Sequence, residues 1–156
     1  MRLLKRKYVG IDLGIKGALS VISGNALSLF PFTGNFGESR KRTMSPSELG
    51  WLLEDIINSK TYIAIESPML ISPGKKAIAS IHKHYGVFQG ILRNFPTDRL
   101  WVPKPNQWKS ITQFRGSDKN LMKMYASELF PKVPTINSEN ADSVLIAHAC
   151  RLYFND

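Results

Sequence analysis

The sequence predicts an α/β fold: a mixed sheet, built from a three-strand antiparallel meander extended by parallel β-α units, with helices on its faces. Three observations lead there. Short β-branched and aromatic runs separated by turn residues fill residues 7–32. Beyond them, apolar residues recur at helical spacing in segments that alternate with two further extended runs. One of those runs, Tyr62-Ile63-Ala64-Ile65, is apolar throughout, as a strand covered on both faces is. No internal repeat and no long linker divides the 156 residues, so one domain over 1–156 is expected.

Residues 7–13 form the first strand, which stops at Asp12-Leu13-Gly14. Residues 19–22 and 26–32 are the next two, joined by the turn signal Ser23-Gly24-Asn25. Residues 33–44 are polar, contain glycine and carry the basic cluster Arg40-Lys41-Arg42, so a loop is expected. Ser45-Pro46-Ser47-Glu48 is a capping box with proline at the first helical position. Leu49, Leu52, Leu53, Ile56 and Ile57 then give the helix one apolar face. Ser67-Pro68 ends the strand at 62–67. A second helix over 76–94 carries the stripe Ile78, Ile81, Tyr85, Phe88 and Leu92. Gly86 and Gly90, one turn apart on it, would admit a second backbone at close range. A short strand at 99–102 leads through a Pro-rich turn into the segment 107–112. Gly116-Ser117 precedes a helix reaching Phe130 and closed by Pro131. Asn137 or Ser138 caps a last helix from Glu139 to about Tyr153.

Charge narrows the function. The chain has 21 Lys plus Arg against 12 Asp plus Glu, a net charge of +9, which attracts nucleic acid or anionic membrane. Its cations are spread over several segments and not gathered on one amphipathic helix, which favours nucleic acid. No apolar run reaches the roughly 18 residues that a membrane span needs. The basic start runs into a structural strand and not into a signal-peptide core. One cysteine, Cys150, excludes an internal disulfide and fits a reducing, cytoplasmic setting.

Against this basic background four carboxylates stand out. Asp12 ends the apolar run Tyr8-Val9-Gly10-Ile11, and Glu66 ends Tyr62-Ile63-Ala64-Ile65. Both thus fall at the C-terminal end of a strand, the edge where open α/β sheets place their sites. Glu139 and Asp142 are three apart and share a helix face on which Leu145, Ala149 and Leu152 continue. Each acid alone has an ordinary role: Asp12 in a turn, Glu66 in a cap or lysine pair, Glu139 at a helix start. Asp142 on an apolar stripe has none. Jointly they point to a site, because unpaired carboxylates taken out of water are normally bound to metal or paired. All-oxygen ligands favour Mg²⁺ or Mn²⁺ over zinc. His82 on the second helix is a reserve ligand, and His84 and His148 read as packing or surface residues. Trp51, Trp101 and Trp108 read as packing, with Trp108 also placed beside Lys109 to touch a sugar or base.

At these residues the chain resembles a known family. Gly10-Ile11-Asp12-Leu13-Gly14, Ile65-Glu66 and Glu139-Asn140-Ala141-Asp142-Ser143 look like the active-site motifs of RuvC-type Holliday-junction resolvases. Those are nucleases of the RNase H-like (retroviral integrase) superfamily. Residues 78–90 are similar to the family's long helix, and Lys109, Gly116 and Lys119 match its Lys…Gly…Lys stretch. The resemblance covers nearly the whole chain in order. It implies an RNase H-like sheet and hydrolysis of DNA phosphodiesters at branched structures, leaving 5′-phosphate and 3′-hydroxyl. It further implies two Mg²⁺ ions, replaceable by Mn²⁺, on Asp12, Glu66, Glu139 and Asp142. Lys109 and Lys119 would neutralise the scissile phosphate, and the partner would be a four-way junction, with forks or three-way branches as further substrates. Two-fold symmetry of the junction favours a homodimer through the second helix. Lys75, Lys76, Lys83, Lys104 and Arg115 are candidate backbone contacts. The chain departs from the pattern in three places. Glu139 stands where the family has aspartate, Met69 stands where bacterial members often carry an aromatic near the junction centre, and Arg40-Lys41-Arg42 matches no family motif. The compact length and the slack match point to a phage or other mobile-element version.

Other readings compete. One is a catalytically dead member that only binds branched DNA, and another is an RNA-cleaving relative on the same fold. The glycine motif around Asp12 also looks like the first phosphate loop of actin-like ATPases. Those need two such domains around the nucleotide, which 156 residues cannot supply.

Overall fold

The computed structural model describes residues 4–14, 16–68 and 74–155. Lys7–Ile11 (β1), Ala18–Ser23 (β2) and Ala26–Pro31 (β3) form the expected antiparallel meander, with Val9 opposite Val21 and Val21 opposite Ser28. After it come a short hairpin, Thr33–Gly34 (β4) with Arg42–Thr43 (β5), and a helix, Pro46–Ile56 (α1). Thr61–Ile65 (β6) then pairs in parallel with β1, Gly10 lying opposite Ala64. The helix Lys75–Ile91 (α2) leads to Leu100–Trp101 (β7), which pairs in parallel with β6. The chain ends with Pro105–Ile111 (α3), Lys119–Leu129 (α4) and Ala141–Asn155 (α5). Sheet order is β3-β2-β1-β6-β7, a mixed α/β architecture.

Strand alternation splits the core between the two faces. Val9, Ile11, Ile63 and Ile65 pack with Phe32, Leu49, Leu53, Phe88 and Leu92, on the side of α1 and α2. Tyr8, Ile22 and Ala64 face the other way, onto α5, with Trp108 and Met122 behind. Gly10 makes that second layer possible. A Cβ there would stand 2.2 Å from the Ala147 nitrogen and 2.3 Å from the Ser143 carbonyl oxygen. Only glycine lets α5 lie this close to β1, and Ser20 and Ser143 seal the contact through hydroxyls 2.6 Å apart.

Four expectations change. The 33–44 loop contains the β4–β5 hairpin, whose two-residue strands are too short to show any period. The segment 107–112 belongs to α3, which starts earlier, at Pro105. Gln107 Oε1 accepts from the Lys104 backbone N–H there, closing the first turn. The last helix starts at Ala141, so Glu139 lies in the preceding turn and not on a shared helix face. Asn137 Oδ1 accepts there from the Glu139 and Asn140 N–H groups, the capping expected of Asn137. Finally, α5 is buried all round between Ser143 and Cys150, not along one stripe, because the sheet covers one side while α3 and α4 cover the other. The capping box of α1 forms as read: Ser45 Oγ accepts from Glu48 N–H at 3.2 Å, and Glu48 accepts from Ser45 N–H at 2.7 Å. Among the described residues no helix is long and apolar enough to cross a membrane.

Candidate active site

Neighbouring parallel strands bring Asp12 and Glu66 together. β1 and β6 run in register, Ile11 opposite Ile65, so the next residue of each leaves the sheet at the same edge. Asp12 and Glu66 both line a cavity of about 80 Å³ with Leu13, Gly14, Ser67, Pro68 and Ile81. The first turn of α5 supplies Asp142 from the other face, at the height set by Gly10.

Electrostatics shows the three acids sharing one field. Burial first, and then the charge of Asp142, push the Asp12 carboxyl up to about 6, against the Gly14 N–H and Lys119. Burial likewise pushes Glu66 up to about 7. The Trp108 hydrogen bond opposes that shift, while Asp12 and Asp142 add to it. Two such shifted acids in one place mark a candidate functional site. Asp142 carries a further sign: its Oδ1 is buried with no hydrogen-bond partner.

Cations already surround the cluster. Lys119, the first residue of α4, donates to Asp142 Oδ2. Lys109 lowers Glu66 through its charge, and its ammonium reaches the Gly116 carbonyl oxygen at 3.0 Å across the face of Trp108. Both lysines that sequence placed near the scissile phosphate therefore border the acids. Trp108 does more than pack. It is buried, and its Nε1–H donates to Glu66 Oε2 at 2.5 Å, a role that the sequence reading of packing, or of contact with a sugar or base, did not include.

Glu139 stands apart. Its carboxylate is 57% exposed, 3.6 Å from the Lys16 ammonium, and lines a different cavity. No group of three or more His, Cys, Asp or Glu among the described residues stands in metal-holding geometry. In this arrangement Glu66, Glu139 and Asp142 each engage an internal donor. The chemistry of Asp12, Glu66 and Asp142 nevertheless suits a hard cation, being all oxygen, partly buried and short of a partner at Asp142 Oδ1.

The remaining candidates are scattered. Lys75, Lys76 and Lys83 are exposed on α2, and Lys104 caps α3. Arg115 shares a cavity of about 310 Å³ with Lys109, Ser110, Gln113 and Phe114. Met69 lies outside the described residues. His82 is exposed and not among the residues lining the acid cavity. His84 instead ties α2 to the loop after Asp12, its Nδ1 lying 2.9 Å from the Leu13 carbonyl oxygen. His148 is buried, as a packing residue is, and meets Arg151 at 3.1 Å.

No protein-family model matches the chain, and no curated protein matches its sequence. Solved structures do. "T. thermophilus RuvC in complex with Holliday junction substrate" superposes with a TM-score of 0.62 at 16% identity, over 96% of this chain and 95% of that one. A second structure of Thermus thermophilus RuvC gives 0.57 at 15% identity, with the same coverage of both chains. The chain therefore has a RuvC-like fold.

Proposed function

We propose that this protein is a divalent-metal-dependent endonuclease that resolves Holliday junctions and related branched DNA, leaving 5′-phosphate and 3′-hydroxyl ends. The observation that carries the reading is the partly buried trio Asp12, Glu66 and Asp142, held at one sheet edge with Lys109 and Lys119 beside it. In a chain of net charge +9, such a cluster suits cations held against a polyanion. The structural likeness to RuvC bound to a junction supports the substrate class.

Asp12, Glu66 and Asp142 would hold Mg²⁺ or Mn²⁺, with Glu139 joining after leaving Lys16. When bound, such ions supply water activation and stabilisation of the leaving oxygen. The protein's own groups would do the rest. Trp108 fixes one oxygen of Glu66 and so orients the other. Lys119, released from Asp142, and Lys109 would take charge building on the scissile phosphate. Exposed Lys75, Lys76, Lys83, Lys104 and Arg115 would hold the backbone without reading sequence. A homodimer would deliver paired cuts to a two-fold substrate.

The test is cleavage of synthetic four-way, three-way and linear duplexes in Mg²⁺, Mn²⁺, Ca²⁺ and chelator. Asp12→Asn should keep junction binding while cutting falls by about a thousandfold. Cutting at the wild-type rate by Asp12→Asn removes the assignment. A second reading, a branched-DNA-binding module without catalysis, is favoured by two observations: a lysine ammonium already pairs with Asp142, and no metal-holding group is assembled among the described residues. Binding of junctions with no cutting in either metal would select it.

A further inference from the structure

The basic cluster Arg40-Lys41-Arg42 has no place in the acid site, yet the structure gives it a defined position. It lies on the β4–β5 hairpin, whose base is fixed in the core. Phe32, just before β4, is fully buried against Phe88, with ring centroids 5.7 Å apart. The Met44 N–H donates to the Phe32 carbonyl oxygen at 2.8 Å, and Thr33 and Thr43 hydroxyls meet at 3.1 Å across the two strands. Arg42 then locks the arm to α1. Its guanidinium donates to both oxygens of Glu48 at 2.7 Å, a two-bond fork, and to Glu38 at 3.0 Å. Arg42 is therefore spent on architecture, whereas Lys41 and Arg40 are exposed and make no ion pair among the described residues.

Lys41 lines a cavity of about 460 Å³ with Lys16, Thr33, Asn137, Glu139 and Asn140. Two lysines face one carboxylate there, so the cavity retains positive charge. Its far wall is the turn carrying Asn137, Glu139 and Asn140, which leads into α5. At the hairpin tip, Phe36 has φ +46°, a region that bulky side chains seldom enter. The residue is 38% exposed, and its ring lies 5.2 Å from the Arg42 guanidinium. An aromatic side chain held in a costly backbone conformation with part of its surface left open presents that part to solvent.

We infer that the β4–β5 hairpin is a second DNA-contact arm, in which Lys16 and Lys41 seat a backbone phosphate and Phe36 stacks on an unpaired base near a branch. This rests on the nuclease reading, because the ligand is the same DNA. A phosphate competes with Glu139 for Lys16 and finds Lys41 free. The chemistry is that of single-strand and branch recognition, cations tracking the backbone beside an aromatic face.

Equilibrium binding separates this inference from the nuclease reading. The probe is a fluorescein-labelled four-way junction in Ca²⁺, with 2-aminopurine at the branch, titrated over a range of salt. Lys16→Ala with Lys41→Ala should weaken the junction about tenfold near about 100 mM salt and lower the log-affinity against log-salt slope by about 1 to 2. Lys16→Arg with Lys41→Arg should restore the slope. Phe36→Asn, which tolerates the same backbone angle, should lose 2-aminopurine quenching and weaken junction binding about threefold, leaving linear duplex unchanged. Wild-type slope, affinity and quenching in these variants overturn the arm and leave the nuclease reading standing. Failure of the wild-type protein to bind branched DNA overturns both.

Discussion

The helices α5 and α2 cover opposite faces of the same sheet, and they do so very differently. α5 is buried from Ser143 through Cys150, whereas α2, two residues longer, fully buries only Phe88. One has structure on every side; the other has the sheet beneath it and solvent above. The acid carried by α5 is accordingly set by close packing, down to a glycine that admits no Cβ. On the other face, α2 reaches the site through Ile81 in the cavity wall and, among the described residues, a polar tie from His84 to the Leu13 carbonyl oxygen, worth about 1 kcal/mol by itself. Position is fixed by packing on one face and only braced on the other.

The largest break in that contrast is Gly10→Ala. The new methyl would meet the α5 backbone at 2.2 Å, where no flexible side chain can yield. Loss of about 3 kcal/mol or more is expected in chemical denaturation, with Asp142 displaced. Titration comes next in size. Asp12 and Glu66 keep their protons to about 6 and about 7 when folded, above their ordinary values near 4, so the folded state binds more protons across that window. Stability is therefore full at low pH and falls as pH rises from about 4 to about 7. Asp142→Asn removes the repulsion that α5 imposes, so the Asp12 part of this fall should shrink in denaturation measured at stepped pH. An unchanged profile would mean that α5 does not load the site. Smallest, and opposite in sign to the first, is Gly86→Ala on α2. Nothing lies within 4 Å of a Cβ there, so a gain of up to about 1 kcal/mol in helix stability is expected, read as a higher melting temperature. A loss instead would show that a second backbone does pack at Gly86, as sequence spacing suggested.

Legibility followed the same division. The meander, the parallel β1–β6 pair and the α1 capping box were readable because each leaves a local signature: strand runs closed by turn residues, an all-apolar strand, Ser-Pro-x-Glu. Asp12 and Glu66 were readable for a related reason, a charge at the end of an apolar run. The β4–β5 hairpin was not, since two-residue strands have no period and are held by Arg42 reaching Glu48. Nor was the bond from Trp108 to Glu66, which joins residues 42 apart in sequence. The place of Glu139 escaped for a subtler cause. Helical spacing assumed that the helix had begun, whereas Asn137 holds those residues in a turn and leaves the carboxylate to Lys16.

Lys119 gives the molecule an internal stand-in for a counter-ion. With its ammonium on Asp142, the chain itself carries part of the charge compensation that its clustered acids need. On the proposed reading, a cation from solution would have to displace this tethered ammonium before it met both oxygens, so its occupancy would be an exchange, governed as much by where α4 begins as by the acids themselves.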